Sequence, residues 1–433
     1  MKIAADRELR LSNGWTVKKS AAASTCTRAV PGKKSSLISL MKKAILPELP
    51  GVIGRSLRPF WKALVILALT AGCRGIERND KIIDGHRWAL ALSARGEKCC
   101  APILETVKEG QKWTKASGSL RYYHIKARNK PKYTLLLLPG DPEGKEVWAP
   151  MSLGIGDGGF AWKGLADTYD LVLIDLPAHG QATTCPPLVT AESYAYLIES
   201  AIAQIESAEK APLRGEGLIV IGHSVGGEVA WRMASHMKTR IVRLVLLDSV
   251  GMVRKPNEIQ PSEKQMAHWF TGGLLGGCFG APKYEAAKGL KELIVDDSLI
   301  ESNDIAALYQ AYTNRGHNYE VSRQITIRDI NRNNDAEAIE RLEKISAPTL
   351  VVCGSDDPAW TLQTQGVAFR CFIPKAGLVK IQRCGHLPNV ERPGVVTEFI
   401  RAWLEEPNAD IEKALAEMAK AFPRPAKEIV VCH

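Results

Sequence analysis

The sequence lacks the cysteine patterns that mark a metal-binding domain. Its ten cysteines contain no C-x-x-C pair and no cysteine and histidine spacing suited to zinc. Cys99 and Cys100 are adjacent, and adjacent cysteines seldom bond to each other without strain. No metal site is therefore predicted, and the cysteines leave the redox compartment open.

Outside residues 1–75, the chain carries almost no excess of positive or negative charge. Residues 1–75 hold 14 of the 57 basic residues and 3 of the 47 acidic ones, so the other 43 basic and 44 acidic residues nearly balance. The net charge of +10 therefore belongs to this N-terminal arm. No basic patch interleaved with aromatic residues accompanies the arm, so nucleic-acid binding is not predicted.

The arm also lacks a run long enough to cross a bilayer as a straight helix. Its apolar run, Ala63–Cys73, follows basic residues and has the length of a signal-peptide core. The small residues before Cys73 resemble the lipobox of bacterial lipoproteins, although Thr70 stands where that pattern usually has Leu. A start at Met41 would bring the run close to the N-terminus. Export with membrane anchoring through Cys73, an organellar transit segment and a buried helix of a cytoplasmic protein are three interpretations of residues 1–75.

Past residue 115, short apolar runs alternate with helical patterns. Each run ends in Gly, Asp or Ser, and the stretches between several of them, such as residues 191–210, have helical character. This alternation predicts an α/β fold, a doubly wound, mostly parallel β-sheet with helices on both faces, whose strand ends gather ligands at one edge. The runs are YTLLLLPGD, YDLVLIDLPAHG, GLIVIGHS, IVRLVLLDS and APTLVVCGSDD.

The stretch GHSVGG places Ser224 between a strand-like run and a helix-like run. Gly222 and Gly226 flank the serine and permit a sharp strand-to-helix turn with close approach of the backbones. Such a turn holds the hydroxyl at the sheet edge. It also places the amide of Val225 at a helix N-terminus, where it can face a developing oxyanion. Ser224 is therefore a candidate nucleophile, and the alternative is a small residue at a tight turn.

A nucleophilic serine needs a base, and the base needs an acid that orients it. Among nine histidines, His386 follows the strand-like LVKIQ on a loop able to fold over the sheet edge. His223 is too close to the serine in sequence to turn back onto it. Asp357 lies just after the strand TLVVCG and completes the order serine, acid, histidine expected on a doubly wound sheet. Asp356 and Asp248, the latter after RLVLL, are the alternative acids.

Residues 115–405 resemble the α/β-hydrolase fold. The matching motifs are GHSVGG for the nucleophile elbow, GSDD for the acid loop, GHLPNVERP for the histidine loop and DLPAHG for the family's D-x-P-G-H-G turn. The resemblance implies a serine hydrolase with Ser224, Asp357 and His386 as its triad. The family's spacing, counted three residues beyond Gly354, selects Asp357 and makes Asp356 a turn residue.

The sequence departs from the family pattern at two points. The first oxyanion loop of the family normally reads His-Gly-x, whereas here it is Pro139-Gly140-Asp141. The resemblance therefore implies the amide of Asp141, together with that of Val225, as the oxyanion donors. Ala178 replaces the glycine of the family's PGHG turn.

Between Gly251 and Ser346 the strand rhythm stops and a mainly helical pattern takes its place. The family usually inserts a cap over the active site at this position. Trp269, Phe270 and Leu274 would then be an apolar lid above the acyl pocket or packing within the cap. The predicted organisation is a basic targeting or anchor segment at 1–75, a linker or extension at 76–114, the core at 115–250 and 346–405, a helical cap at 251–345, and a C-terminal helix with a loose tail at 406–433.

The predicted function is a serine hydrolase that cleaves a small, apolar carboxylic ester or similar acyl substrate through an acyl-enzyme, without metal or organic cofactor. GIGDGG (Gly154–Gly159) fits G-x-G-x-x-G, but no clear strand precedes it and no helix opens from it, so a dinucleotide site is not predicted. An acyltransferase or thioesterase would share the triad. A noncatalytic binding protein on the same fold is the alternative from another class.

Overall fold

The structure is a computed structural model that describes most of residues 78–432. The predicted targeting segment, with Cys73 and Met41, and the predicted lid residues Trp269, Phe270 and Leu274 lie outside the described residues. Within 78–432 the gaps are 110–111, 130, 157–161, 185–189, 211–212, 214–216, 238–239, 254–282, 314–320, 322–323, 326–327, 329–331, 333, 359, 361, 407 and 422–428.

In the part of the chain that the structure describes, nine strands, numbered along the chain, form one open sheet in the order β1-β2-β4-β3-β5-β6-β7-β8-β9. The pairs from β4 to β8 are parallel, whereas β1 with β2, β2 with β4, and β8 with β9 are antiparallel. The mostly parallel, doubly wound sheet predicted from the alternation of strands and helices is confirmed. The strands are β1 (Glu97–Glu109), β2 (Lys112–Ile125), β3 (Thr134–Leu138), β4 (Asp170–Ile174), β5 (Leu218–His223), β6 (Ile241–Leu247), β7 (Thr349–Gly354), β8 (Ala376–Ile381) and β9 (Ile429–Cys432).

The central strands are continuous apolar runs because both of their faces are covered. Every residue of β3, β4, β5 and β7 is buried. Alternate side chains of β3 enter two different cores, Leu135 and Leu137 on one face and Leu136 and Leu138 on the other. A strand buried on both faces needs helices on both, which is why the alternating sequence folds into three layers.

Helices cover both faces of the sheet. Apolar residues of α3 and α4 contribute to the core on one face, and those of α1, α7 and α11 contribute to the core on the other. A helical segment, 78–85, precedes α1. The helices are α1 (Arg87–Arg95), α2 (Ala149–Leu153), α3 (Ala191–Glu209), α4 (Ser224–His236), α5 (Lys283–Lys291), α6 (Ser298–Ser302), α7 (Ile305–Thr313), α8 (Ala336–Leu342), α9 (Val367–Phe372), α10 (Pro388–Glu391), α11 (Pro393–Glu405) and α12 (Ile411–Ala421), with 3-10 turns at Lys145–Trp148 and Leu165–Asp167 and a π-turn at Leu362–Gly366.

The two ends of the sheet differ from the sequence-based expectation. Strand β1 lies within residues 76–114, so the sheet begins inside the segment expected to be a linker or extension. The expectation of a loose C-terminal end was wrong, because β9 pairs with β8. Without β9, strand β8 would end the sheet with a row of unpaired backbone N–H and C=O groups. The four-residue apolar run Ile429–Cys432 pairs with that edge.

The described residues between β6 and β7 include four helices and no strand, with turns and irregular stretches between the helices. Helices α5, α6, α7 and α8 all lie there, in agreement with the helical pattern expected for 251–345. Its role as a cap stays a prediction. Across the part of the chain that the structure describes, no helix combines the length and the apolar character needed to span a bilayer.

Candidate active site

Ser224 stands at the sharp turn between β5 and α4. It is the first residue of the helix, and its φ of +52° is in the left-handed region that residues with a side chain rarely occupy. A backbone held in that region stores strain that the surrounding structure must support. The turn lifts the hydroxyl out of the strand direction at the carboxyl edge of the sheet.

Two glycines make this turn sterically feasible. A Cβ on Gly222 would lie 2.4 Å from the carbonyl oxygen of Gly226. A Cβ on Gly226 would lie 2.3 Å from the carbonyl oxygen of Pro139, in the loop that follows β3. Both approaches involve backbone atoms, which cannot move aside as a flexible side chain can. The spacing of the glycines around the serine therefore reflects contact of backbone with backbone.

The structure brings Ser224, His386 and Asp357 into one hydrogen-bonded chain. The Nε2 atom of His386 lies 3.0 Å from the Oγ atom of Ser224, and its Nδ1 atom lies 2.7 Å from Oδ2 of Asp357. Each of the three residues is 4% exposed. These contacts join three separate parts of the sequence, the β5–α4 turn, the loop after β7 and the loop after β8.

Asp357 and its neighbour Asp356 have different surroundings. Asp357 also accepts a hydrogen bond at Oδ1 from the amide of Trp360, at 3.0 Å, and the Trp360 ring lies 4.6 Å from the His386 ring between centroids. Asp356 is exposed and accepts a hydrogen bond from the hydroxyl of Ser355. The structure thus brings Asp357, and not Asp356, against the histidine, and the role of Asp357 as the acid stays a prediction.

Asp248, the other alternative acid, lies at the end of β6 and is fully buried. Its two oxygens accept from the amide of Gly354, at 3.0 and 3.1 Å. The Nδ1 atom of His386 bonds to Asp357 instead. Burial, followed by the charge of Asp357, raises the pKa of the Asp248 carboxyl well above its usual range.

The loop after β3 lies against the nucleophile. A Cβ on Gly140 would lie 2.9 Å from the Cβ of Ser224, so Asp141, the next residue, is held close to the serine. The amide of Val225 belongs to the first turn of α4, where amides have no partner within the helix. Both predicted oxyanion donors are thus near Ser224 in the fold, and their role stays a prediction.

The carboxylate of Asp141, unexpected in an oxyanion loop, forms an ion pair with His179. Its Oδ1 lies 2.8 Å from Nε2 of His179, which is buried. Burial opposes the charge on His179, but the hydrogen bond with Asp141 outweighs it and raises the histidine's pKa. The neighbouring Ala178 has a φ of +61°, the conformation for which the family pattern has glycine. The carboxylate of Asp141, which the family's His-Gly-x pattern does not specify, therefore anchors the loop after β3 to His179.

His223 forms a second buried pair with the same loop. Its Nδ1 atom lies 3.0 Å from Oε2 of Glu143, and its Nε2 atom lies 2.7 Å from the carbonyl oxygen of His386. Glu143 also accepts from the amide of Gly140, at 2.7 Å, and from the hydroxyl of Tyr309, at 2.6 Å. Burial alone would lower the pKa of His223, but the charge of Glu143 raises it. The pair connects the oxyanion loop, the nucleophile turn and the histidine loop.

The histidine loop is also braced by Glu391. The two oxygens of this buried carboxyl accept from the amides of Gly385, at 2.9 Å, and Val295, at 2.8 Å. The amide of His386 donates to the carbonyl oxygen of Leu293, at 2.7 Å. Burial raises the pKa of Glu391 to about 7. The segment between β6 and β7 therefore takes part in holding the catalytic loop.

Sequence reasoning missed the residues that support the three predicted side chains. Glu143 and Tyr309 lie in none of the four family motifs, Glu391 lies in GHLPNVERP but was given no role, and His223 was considered only as a base. The one available signal was the presence of two carboxylates, Asp141 and Glu143, immediately after an apolar strand run. Nothing in that run identifies their histidine partners, which lie 38 and 80 residues further along the chain.

One group in the described part of the chain has the side chains to hold a metal ion. One potential ligand atom from each of Asp248, Asp357 and His386 lies within 4.8 Å of the other two. The nitrogens of His386 already face Asp357 and Ser224, so a cation there would displace one of those hydrogen bonds. The prediction of no metal and no organic cofactor stays a prediction.

Comparison with known proteins identifies the family. The profile of the alpha/beta hydrolase family matches residues 135–399, which is more than half of the chain. The chain belongs to the alpha/beta hydrolase family. This confirms the resemblance drawn from the four motifs, and the alpha/beta hydrolase is accordingly an enzyme of the hydrolase class.

Curated relatives of this alpha/beta hydrolase are distant. It is 25% identical over 243 residues to the uncharacterized hydrolase YugF of Bacillus subtilis (strain 168), covering 56% of this chain and 82% of the relative. It is 26% identical over 255 residues to a 2-hydroxy-6-oxononadienedioate/2-hydroxy-6-oxononatrienedioate hydrolase of Cupriavidus pinatubonensis, covering 58% of this chain and 80% of the relative.

A solved structure agrees with the fold. A thermophilic esterase from Thermogutta terrifontis superposes with a TM-score of 0.51 at 19% identity, covering 71% of this alpha/beta hydrolase and 98% of the esterase chain. At this identity the likeness concerns the fold.

Proposed function

We propose that this enzyme is a serine hydrolase that cleaves a small carboxylic ester or similar acyl compound through an acyl-enzyme intermediate. The observation that carries the proposal is the hydrogen-bonded chain from Ser224 through His386 to Asp357. A hydroxyl held at a strained turn, with an imidazole at 3.0 Å that is itself oriented by a carboxylate, is the arrangement that activates serine as a nucleophile.

In the first half of the reaction, His386 removes the proton of Ser224 at Nε2 while Oγ attacks the carbonyl carbon. Asp357 accepts the hydrogen bond from Nδ1, which selects the needed tautomer and stabilises the imidazolium that forms. The tetrahedral intermediate then collapses. The leaving group departs with the proton from His386, and the acyl group remains on Oγ.

The amides of Val225 and Asp141 are assigned to the oxyanion of the tetrahedral intermediate. Val225 offers an amide without a partner inside the helix, and Asp141 is held near the serine by the close packing of Gly140. In comparable sites one such donor contributes about 3–4 kcal/mol to transition-state stabilisation. In the second half of the reaction, His386 removes a proton from water, which attacks the acyl-enzyme and releases the acid and the free serine.

Membership of a hydrolase family and an intact set of three side chains favour this proposal over a noncatalytic binding protein. An acyltransferase or thioesterase would use the same three side chains and differ in the acceptor or the leaving group. The relatives named as 2-hydroxy-6-oxononadienedioate hydrolases add a second substrate candidate, a 2-hydroxy-6-oxo dienedioate, because their sequences align with most of the core of this chain.

The first experiment measures covalent labelling of the serine. Purified enzyme is treated with a fluorophosphonate and its intact mass is determined, with Ser224→Ala and Ser235→Ala alongside. Ser235 is a second buried hydroxyl of helix α4, which donates to the carbonyl oxygen of Arg232 and lies outside the proposed site. We expect one adduct on the wild type and on Ser235→Ala, and none on Ser224→Ala. No adduct on the folded wild type would refute the nucleophile assignment.

The second experiment identifies the substrate class. Hydrolysis is measured for p-nitrophenyl esters of increasing acyl length, for a thioester, and for a 2-hydroxy-6-oxo dienedioate. Ester turnover that disappears in Ser224→Ala supports the proposal. Turnover of the dienedioate alone would replace the ester while leaving Ser224 as nucleophile, and preferential transfer of the acyl group to an added alcohol would identify an acyltransferase.

A further inference from the structure

Two carboxyl groups share the buried end of the proposed triad. Asp248 at the end of β6 and Asp357 after β7 each place a carboxyl oxygen within 4.8 Å of the other and of a ring nitrogen of His386. Asp248 is fully buried and Asp357 is 4% exposed. Two negative charges this close, with little water to screen them, repel each other strongly. The pair is therefore stable with one proton between the two carboxyls.

The hydrogen bonds of the two carboxyls decide where that proton resides. Asp357 accepts at one oxygen from the ring of His386, at 2.7 Å, and at the other from the amide of Trp360, at 3.0 Å. Asp248 is offered one amide, that of Gly354, which is shared between its two oxygens. Hydrogen bonds donated to a carboxylate favour its charged form, and Asp357 receives more of them. The proton accordingly belongs on Asp248.

We propose that Asp248 is a positioning residue that remains protonated and donates a hydrogen bond from its carboxyl to Asp357. This proposal rests on the proposed function, because it assigns Asp357 as the acid of the triad. The donated bond holds the Asp357 carboxylate against His386. It also keeps a single negative charge behind the imidazole.

The groups that face Asp248 are consistent with this assignment. Asp357 and His386 approach from the loops after β7 and β8, and Glu391 of α10 and the buried thiol of Cys384 lie close enough to act on it electrostatically. No cation pairs directly with Asp248 in the contacts of the described residues. Burial and then the charge of Asp357 raise the pKa of Asp248, and the added charge of Glu391 acts in the same direction.

Two substitutions separate a protonated carboxyl from a carboxylate. Asn at position 248 can accept from Gly354 at its oxygen and donate to Asp357 at its amide nitrogen, so Asp248→Asn reproduces the protonated form. Asp248→Ala removes the donor. We expect Asp248→Asn to keep kcat/KM within about threefold, and Asp248→Ala to lower kcat about 10²-fold with KM nearly unchanged, since small misplacement of a catalytic group has effects of this size.

The charge state is measured independently of activity by infrared difference spectroscopy. The wild type at neutral pH should show the C=O stretching band of a protonated carboxylic acid that is absent from Asp248→Asn. The pH profile adds a third readout, because the wild type should lose kcat/KM at alkaline pH, where Asp248 ionises, and Asp248→Asn should not.

Several results would overturn the proposal. Equal losses in the Asn and Ala variants would mean that Asp248 acts as a carboxylate, and full activity of a folded Ala variant would mean that it positions nothing. A missing carboxylic acid band would refute the protonated state even if the Ala variant fails to fold. Absence of the fluorophosphonate adduct would refute the proposed function instead, and the infrared band would still report on Asp248.

Discussion

His223 and Glu143 form a buried ion pair directly beside Ser224. The Nδ1 atom of His223 lies 3.0 Å from Oε2 of Glu143, and its Nε2 atom lies 2.7 Å from the carbonyl oxygen of His386. Both partners are acceptors, and a neutral imidazole carries one N–H group. Both bonds form together only when His223 is an imidazolium. Where both bonds form, the residue beside the nucleophile is thus a cation that connects two catalytic loops.

Loss of the carboxylate should destabilise the fold in a pH-dependent way. Glu143→Gln leaves a buried imidazolium without its counter-charge, which costs about 3–5 kcal/mol in comparable buried pairs. Because the folded-state pKa of His223 is raised, its contribution is complete below its ordinary pKa of 6.5 and is lost as the pH rises through the folded value. Because the folded-state pKa of Glu143 is lowered, its contribution to stability is present above its ordinary pKa of 4.5 and is lost as the pH falls below that value.

Urea denaturation of wild type and Glu143→Gln between about pH 5 and about pH 9.5 tests this linkage. The difference in free energy of unfolding between wild type and Glu143→Gln should be largest between pH 4.5 and 6.5, the ordinary pKa values of Glu143 and His223. It should shrink at alkaline pH. A matched control is Glu199→Gln, which breaks the partly exposed pair with His236 and should cost less than about 1 kcal/mol. A difference that stays constant with pH would contradict a charged His223.

The adjacent aspartates give a test of the acid assignment. Asp357→Asn removes the carboxylate that orients His386 and should lower kcat by about 10³–10⁴-fold, the scale seen when a triad histidine is left in the wrong tautomer. Asp356→Asn changes an exposed carboxylate that bonds to Ser355 and should alter kcat by less than about twofold. Equal effects of the two substitutions on ester hydrolysis would refute the assignment.

The residues found by sequence reasoning are those whose chemistry is marked by local pattern. Ser224 lies between a strand and a helix with glycines around it, and His386 and Asp357 each follow an apolar run. Because parallel strands end at one edge of the sheet, these strand ends predict spatial neighbours. The parallel direction of the central strands followed from the same pattern, whereas their order in the sheet was not predicted.

The features that were missed depend on contacts between distant segments. Glu143 and His223 are 80 residues apart, and neither stands at a characteristic spacing from the other. Strand β1 contains Pro102 and mixed charges, which weaken a strand pattern, and its pairing with β2 forms the sheet edge where such a sequence is tolerated. The ion pair and the strand pairing both depend on how distant segments pack in the folded chain. Local periodicity in the sequence does not encode that packing.

The glycines of the nucleophile turn should be far less replaceable than an ordinary helical glycine. Gly222→Ala and Gly226→Ala each drive a Cβ into backbone at 2.4 and 2.3 Å and should lower the free energy of unfolding by about 3 kcal/mol or more. In Gly289→Ala the Cβ meets nothing within 4 Å and lies in helix α5, so that variant should be up to about 1 kcal/mol more stable. Thermal melts compare the three, and a Gly226→Ala variant as stable as wild type would contradict the close packing.

Glu391 should make stability fall as the pH rises toward neutrality. Burial raises its folded-state pKa from 4.5 to about 7, so the favourable contribution of its proton is complete below about 4.5 and is lost as the pH rises through about 7. Each unit of difference between the folded and unfolded pKa is worth about 1.4 kcal/mol. Glu391→Gln has no proton to lose, so the stability of wild type relative to this variant should decline between these two pH values.

Glu340→Gln is the matched control for that decline. Glu340 is exposed, and its hydrogen bond with Lys344 lowers the pKa of the glutamate. Its difference from wild type should show no decline over the same range. The Glu391 carboxyl accepts from Gly385, next to His386, so its ionisation acts on the loop that carries the proposed base. If urea denaturation showed the same pH dependence for wild type and Glu391→Gln, this carboxyl would be ionised throughout the range, and the amides of Gly385 and Val295 would have to outweigh its burial.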